Sequence, residues 1–426
     1  MKAYILKTKT SIPPFMDDVS EAYFVHETLA QAQDRALRKY GFEPVRIEKS
    51  TEINDDDYLL IFDWVYFSER AVRMFKRVLK RSDPGTKVLA LTKSLSTQQP
   101  SALQGVVEEV SPDGEEIFLY DFYYVKGTKL VQGGPGEIRD ALLADAERLV
   151  VPKREGRLRL RRPSVDAGQS QTQSFIELPI TSTVVMHVKS WVHILWLNSL
   201  ALGIHWMETI REHRGWMTGV VLRSFPWRSR YKFLKRMVRK GSNCKIHPSA
   251  YLEGCILGDN VEVGANATVR FSFVGDNAVI SDGAGITNSV IGQGAFIREK
   301  SVVVGSVIYP EATIDNLKLQ VSMVGKRSFM TFWFNFIDAK FEGDIMVDVA
   351  GGERGPVDTH FLGSCVGHDV VLMGKTLVHP GRAIPNGYKV VMRPDEAISE
   401  IPRDLPERTP LMRDERGKLV VFPSSN

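Results

Sequence analysis

The chain has 426 residues and a mass of 47.9 kDa, enough for two or three domains of ordinary size. Apolar residues make up 43% and charged residues 25%, which excludes a wholly disordered chain and a protein built mainly of membrane spans. The formal net charge is only +4, so charge informs function only where it is concentrated.

Residues 1–151 read as alternating strands and helices. The run AYIL at 3–6 opens the chain as a short strand. Residues 28–40 have helical spacing through Leu29, Ala32, Ala36 and Leu37, and the pattern stops at Gly41. Strands are expected at 45–47, 58–62 (YLLIF) and 87–91, with a basic helix following Ser68 and ending near Arg81. Strands separated by helices predict a mostly parallel, Rossmann-like α/β sheet covered on both faces. Asp55, Asp56 and Asp57 read as a solvated loop, and Gly133, Gly134 and Gly136 as a turn before a helix from Glu137.

The order of these elements resembles the sugar-1-phosphate nucleotidyltransferase fold. The corresponding stretches are AYIL, then residues 15–47, then LLIFDWVYF. The resemblance implies nucleotidyl transfer to a phosphorylated substrate, and it aligns Asp63 with the family's metal-binding aspartate. A carboxylate there would hold Mg²⁺ against nucleotide phosphates. Lys7 and Lys9 are the candidate phosphate-binding cations. The opening loop from Lys7 to Ser11 has none of the family's glycines, and Pro14 or Phe15 stands where its phosphate-contacting lysine would lie. The domain is therefore expected to be a degenerate one.

Residues 152–182 read as a linker, with five arginines followed by the polar run DAGQSQTQS. Residues 183–242 read as a helical connector, apolar and then basic, with one long helix over 183–213. Residues 190–207 contain no Asp, Glu, Lys or Arg, the lower limit for a membrane span. Between Arg211 and Lys245 there are 11 Lys and Arg and one acid, Glu212, with aromatics interleaved. Two readings stay open: a connector packed between domains, or contact with an anionic membrane surface through Trp191, Trp196, Arg228, Arg230, Lys232, Lys235 and Arg236. No nucleic-acid-binding module is recognisable, so no nucleic-acid partner is expected.

From Ile246 a repeat takes over. Ile246, Leu252, Leu257, Val263, Val269, Val274, Ile280, Ile286, Ile291, Ile297, Val303, Ile308 and Ile314 advance in steps of 6, 5 and 6, a 17-residue period. Small residues such as Ala267, Ala278, Ala284, Ala295 and Ala312 follow four places after anchors. Each unit is a short strand and a turn, and three units close one triangular coil that must stack to bury its inner face. Units such as LGDNVE at Leu257 and VGDNAV at Val274 resemble the hexapeptide-repeat, left-handed β-helix family. The β-helix is assigned to 243–391, with an interruption over 315–357 and a tail at 392–426. The resemblance implies self-association, a trimer in many members, and admits three functions: nucleotidyl transfer, acyl transfer from acyl-CoA or acyl carrier protein, and a non-catalytic scaffold.

The interruption carries Phe329, Phe332, Trp333, Phe334 and Phe336, and the coils resume near Phe361, Leu362 and Gly363. This re-entry resembles that of bifunctional nucleotidyltransferases, but Asp358 stands on their catalytic histidine. His360 is then the candidate base for acyl transfer, with His368 and His379 as others near a coil edge. Cys244, Cys255 and Cys365 have neither zinc spacing nor the number for a disulfide framework, and the segment MKAYILKTKT has no signal-peptide core. A cytoplasmic protein is expected, peripheral to the inner face of a membrane if the basic segment meets lipid.

Overall fold

A computed structural model describes the chain except residues 99–100, 128–132, 162–174, 225–229, 316–317, 332–333, 341, 375, 392, 394–397, 399, 401, 403, 407 and 424–426. The first domain is an α/β unit. Its sheet runs in the order Glu147–Val150, Lys87–Thr92, Glu116–Lys126, Asp57–Phe62, Lys2–Leu6, Glu43–Ile47, and Val107–Val110 pairs alongside Glu116–Lys126. Glu116–Lys126 lies antiparallel to both neighbours, so the sheet is mixed where a mostly parallel one was expected. This strand is an aromatic run, and Phe118, Tyr120, Phe122 and Tyr123 are buried on its two faces. Aromatic side chains suit a strand that is covered on both sides.

Helix Leu29–Lys39 starts from a Thr28–Gln31 capping box, and helix Glu69–Leu79 from a hydrogen bond between Ser68 and the Ala71 N–H. The chain leaves Lys2–Leu6 for one neighbour, Glu43–Ile47, and returns to Asp57–Phe62 on the other side. Ligands of open α/β sheets sit outside the carboxyl ends of strands at such a reversal.

The expected linker is partly strand: Glu155–Arg161 pairs antiparallel with Phe175–Thr181. The long helix begins at Trp191, not at 183. Val185–His187 instead pairs antiparallel with Val65–Phe67, because the buried, β-branched Val184 and Val185 complete the edge of the α/β domain. Helix Trp191–Glu212 then buries Val192, Ile194, Leu195, Leu197 and Leu202 between the first domain and the β-helix. No described helix is long and apolar enough to cross a membrane.

The second domain is a left-handed β-helix of three parallel sheets, with eight, eight and five strands. The predicted anchors stack in register: Leu257 pairs with Val274, Ile291, Ile308 and Val324 in succession. The corners need left-handed backbone, which Asn243, Asn260, Asn266 and Asn277 supply. A serine ladder, unmarked in the anchor pattern, seals one corner. The Ser272, Ser289 and Ser306 hydroxyls each donate to a nearby carbonyl and accept an N–H from the next coil.

The coil continues beyond the expected break at 315. Leu319, Val324, Met330 and Phe334 are all buried anchors, and Phe336 joins them in the coil core, while Phe329 is exposed and Phe332 and Trp333 lie outside the described residues. The true excursion follows Phe336: Val324 pairs with Val366, 42 positions on, and Phe336 pairs with Val378. The excursion contains the hairpin Ile345–Asp348 with Arg354–Val357. One sheet of the β-helix is covered on its outer face. Ile256, Phe273, Val290, Val307, Met323 and Cys365 are buried in the same cluster as helix Trp191–Glu212.

Candidate functional site

The crevice at the carboxyl ends of Lys2–Leu6 and Asp57–Phe62 is the first place to look for chemistry. Asp63 follows directly on Phe62 and is 2% exposed. Its two oxygens serve Thr8: the Thr8 N–H donates to Oδ2 at 2.8 Å and the Thr8 hydroxyl to Oδ1 at 2.6 Å. Burial pushes the Asp63 carboxyl up to about 6, against the pull of the Thr8 hydrogen bonds. Gln33 locks the same turn by donating to the Asp63 and Val65 carbonyls.

The loop that follows Lys2–Leu6 turns back onto the β-helix. Phe15 stacks on Tyr309 at 5.1 Å and on the His368 ring at 4.9 Å, both from the β-helix. Asn386 Nδ2 donates to the Phe15 carbonyl at 2.6 Å. Asp17 meets His368 Nε2 at 2.9 Å and Lys326 Nζ at 3.2 Å. The hydrogen bond from His368, with Lys326 beside it, holds the Asp17 carboxyl below its usual range. Farther along, helix residue Asn198 accepts from the Val25 N–H and donates to the Tyr23 carbonyl. Between Ile12, Phe15, Ala22, Ile194 and Tyr309 lies a cavity of ≈ 10 Å³, about one water.

Each Asp63 oxygen already accepts a hydrogen bond, and among the described residues no three His, Cys, Asp or Glu side chains group as a metal site. Asp55 is paired with Lys2 at 3.1 Å and bonded to the Tyr4 hydroxyl. Lys7 is half-exposed, 3.9 Å from Glu48, and Lys9 is exposed. Neither lysine takes part in the hydrogen bonds that Thr8 makes to the Asp63 carboxylate. Gly134 caps helix Pro135–Asp145, where its N–H donates to Glu137.

The histidines divide clearly. His368 Nδ1 accepts the Lys326 N–H and its Nε2 bonds Asp17, so neither nitrogen is free for a substrate. His360 is exposed in the excursion, where its carbonyl accepts from the Lys340 N–H. His379 is exposed as well. A second buried network carries no local sequence signal: Asp121 receives Arg139 Nε, Trp64 Nε1 and the Tyr123 hydroxyl. His187 beside it accepts the Asp121 N–H and is held neutral by burial, which pushes it down to about 4. The aromatic repeat of that strand hid Asp121, and only the fold brings it to His187.

Of the membrane candidates, Trp191 is fully buried and Trp196 half-buried, so Trp191 offers no surface to lipid. It belongs to the core because the helix that carries it lies between the two domains. Lys232, Lys235 and Arg236 are exposed. Arg228 and the Arg230 side chain lie outside the described residues.

The family model described as the GMPPB C-terminal domain matches residues 233–324. No curated protein matches the chain. Among solved structures, the chain is similar to the inositol-1-phosphate CTP transferase from T. maritima, at 11% identity over 35% of this chain and 84% of that one, with a TM-score of 0.27. It is also similar to a hexapeptide transferase family protein from Anaplasma phagocytophilum, at 18% identity over 37% of this chain and 81% of that one, with a TM-score of 0.19. Likenesses this low do not bear on activity.

Proposed function

We propose that this chain is a nucleotidyltransferase-like protein whose α/β domain has given up nucleotide turnover, and that it works as a scaffold built on its β-helix. One observation carries the reading: Asp63 at the carboxyl edge is buried with both oxygens bonded to Thr8, and the loop that leaves this edge packs Phe15 on Tyr309 and His368 of the β-helix. Nucleotide transfer needs a carboxylate there to hold a cation against the phosphates. Self-association, as a homotrimer, fits the uncovered sheets, where Phe296, Val302 and Phe329 stay more than a third exposed. Size determination by light scattering tests that element separately.

The test of the main reading is direct. Purified full-length protein is melted with each nucleoside triphosphate and Mg²⁺, then assayed for pyrophosphate release with candidate sugar phosphates. A ligand of the native state raises the melting temperature by mass action. No shift and no release are expected. Nucleotide-dependent stabilisation with pyrophosphate release, lost in Asp63→Ala, would overturn the proposal and restore Mg²⁺-dependent transfer.

Acyl transfer is the second reading, and the exposed imidazole of His360 at the coil excursion supports it. An acyl-CoA or acyl carrier protein thioester would then be consumed by the wild type and not by His360→Ala. Equal rates in the two proteins would remove His360 from any such mechanism.

A further inference from the structure

The end of helix Trp191–Glu212 and the two helices after it, Arg214–Arg223 and Arg230–Arg236, project from the buried part of the connector. Arg211, Arg214, Arg223, Lys232, Lys235 and Arg236 are all exposed there. Among the described residues none of the six has a carboxylate within ion-pair distance. Arg236 instead donates to the Arg223 carbonyl, and Lys235 stands over the Tyr251 ring at 5.9 Å. Like charges gathered without counter-charges repel one another, and an external anion would relieve that repulsion.

The same helices carry an exposed apolar side chain that the core does not use. Leu222 is 70% exposed beside Arg223. Arg214, Thr218 and Leu222 follow at four-residue steps and are all exposed, so they line one side of their helix. Trp206 and Trp216, each half-buried, stack at 6.4 Å under this hairpin. Cations around an exposed leucine and an indole pair match the layered chemistry of a bilayer interface, with phosphates outside and acyl chains beneath. Nucleic acid would use the charges and leave Leu222 without a partner.

We propose that this helical hairpin docks the protein on an anionic lipid surface, as a peripheral contact and not a span. Each basic side chain near such a surface contributes about five-fold in binding. Loss of three charges in Arg211→Gln/Arg214→Gln/Arg223→Gln should therefore weaken binding about 100-fold. Leu222→Ser, a separate variant that keeps every charge, should weaken it by about ten-fold through lost apolar insertion.

The experiment is co-sedimentation of the full chain with phosphatidylcholine vesicles containing about one-third phosphatidylserine, and with pure phosphatidylcholine vesicles. Retention is expected on the anionic vesicles only. It should fall as salt rises from about 0.1 M to about 1 M and the screening length shrinks from about 10 Å to about 3 Å. Both variants should lose retention while keeping the wild-type melting temperature. No retention, or equal retention on both vesicle types, overturns the proposal. So does binding to a duplex oligonucleotide that the triple variant loses while vesicle retention is absent, which would assign the cations to nucleic acid.

Discussion

Replacing Asp63 by Asn tests the reading of the crevice quantitatively. The carboxyl rises from 3.8 to about 6 in the folded protein, chiefly through burial. At about 1.4 kcal/mol per unit, the folded state holds the Asp63 proton about 3 kcal/mol more tightly than the unfolded chain does. The folded value lies above the unfolded one, so this residue favours folding most at acid pH. Its contribution falls as pH rises from about 4 to about 6, and above that the ionised form costs about 3 kcal/mol. Asn is isosteric and uncharged. Its oxygen accepts the Thr8 N–H and its amide donates to the Thr8 hydroxyl, so the two bonds seen to Asp63 can both be kept. Asp63→Asn should therefore be more stable than wild type at pH 8 by roughly 2–3 kcal/mol, with about half of that difference gone by pH 5. Urea denaturation of both proteins at the two pH values measures it, followed through the transition of the α/β domain. A destabilised variant at pH 8, or a difference that ignores pH, would refute the argument. Selective stabilisation of the wild type by Mg²⁺ would refute it too, since that needs Asp63 as a cation ligand.

Gly292→Ala places a Cβ 2.5 Å from the Pro310 nitrogen and 2.7 Å from the Tyr309 carbonyl carbon, backbone atoms of the next coil. It should destabilise the β-helix by about 1–3 kcal/mol, read as a lowered melting temperature. Trp191→Ala should cost about 3–5 kcal/mol in chemical denaturation and leave vesicle retention unchanged, because the ring is core and not surface. Asp17→Asn loosens the contact of the Phe15 segment with His368 and Lys326, which should show as faster proteolysis within residues 7–28 at neutral pH. The depressed Asp17 carboxyl stabilises the fold above its unfolded value and loses that effect as pH falls through its folded one, so wild type and variant should converge in acid.

The β-helix was legible because its physics is local and repeated. An inward anchor every five or six residues and a turn-forming residue at each corner recur along the whole domain, so Leu257, Val274 and Ile291 announce their own stack. The α/β character of the first domain was legible for the same reason: the apolar runs at 3–6 and 58–62 and the spaced helix between them need no distant partner to be read. The excursion was placed too early because the coil shortens by one residue, Val303 pairing with Leu319 and Ile308 with Val324 16 positions on, which breaks the 17-residue period. The central antiparallel strand was not read, since an aromatic run gives no direction to a strand.

The opening loop has none of the glycines that let backbone N–H groups approach a phosphate, and that much was plain in the sequence. The docking of this loop on the β-helix could not be read, because Asp17 and His368 stand 351 positions apart. Asn198 looked like a polar dilution of an apolar helix and proves to hold the Tyr23–Val25 backbone from inside the core. Trp191 and Leu222 are both apolar residues of the same connector, and composition alone treats them alike. Burial separates them, since one faces two packed domains and the other faces solvent. Periodicity reports which face of an element is apolar, but only the assembled chain decides what covers that face, because coverage depends on contacts between residues that no local pattern relates.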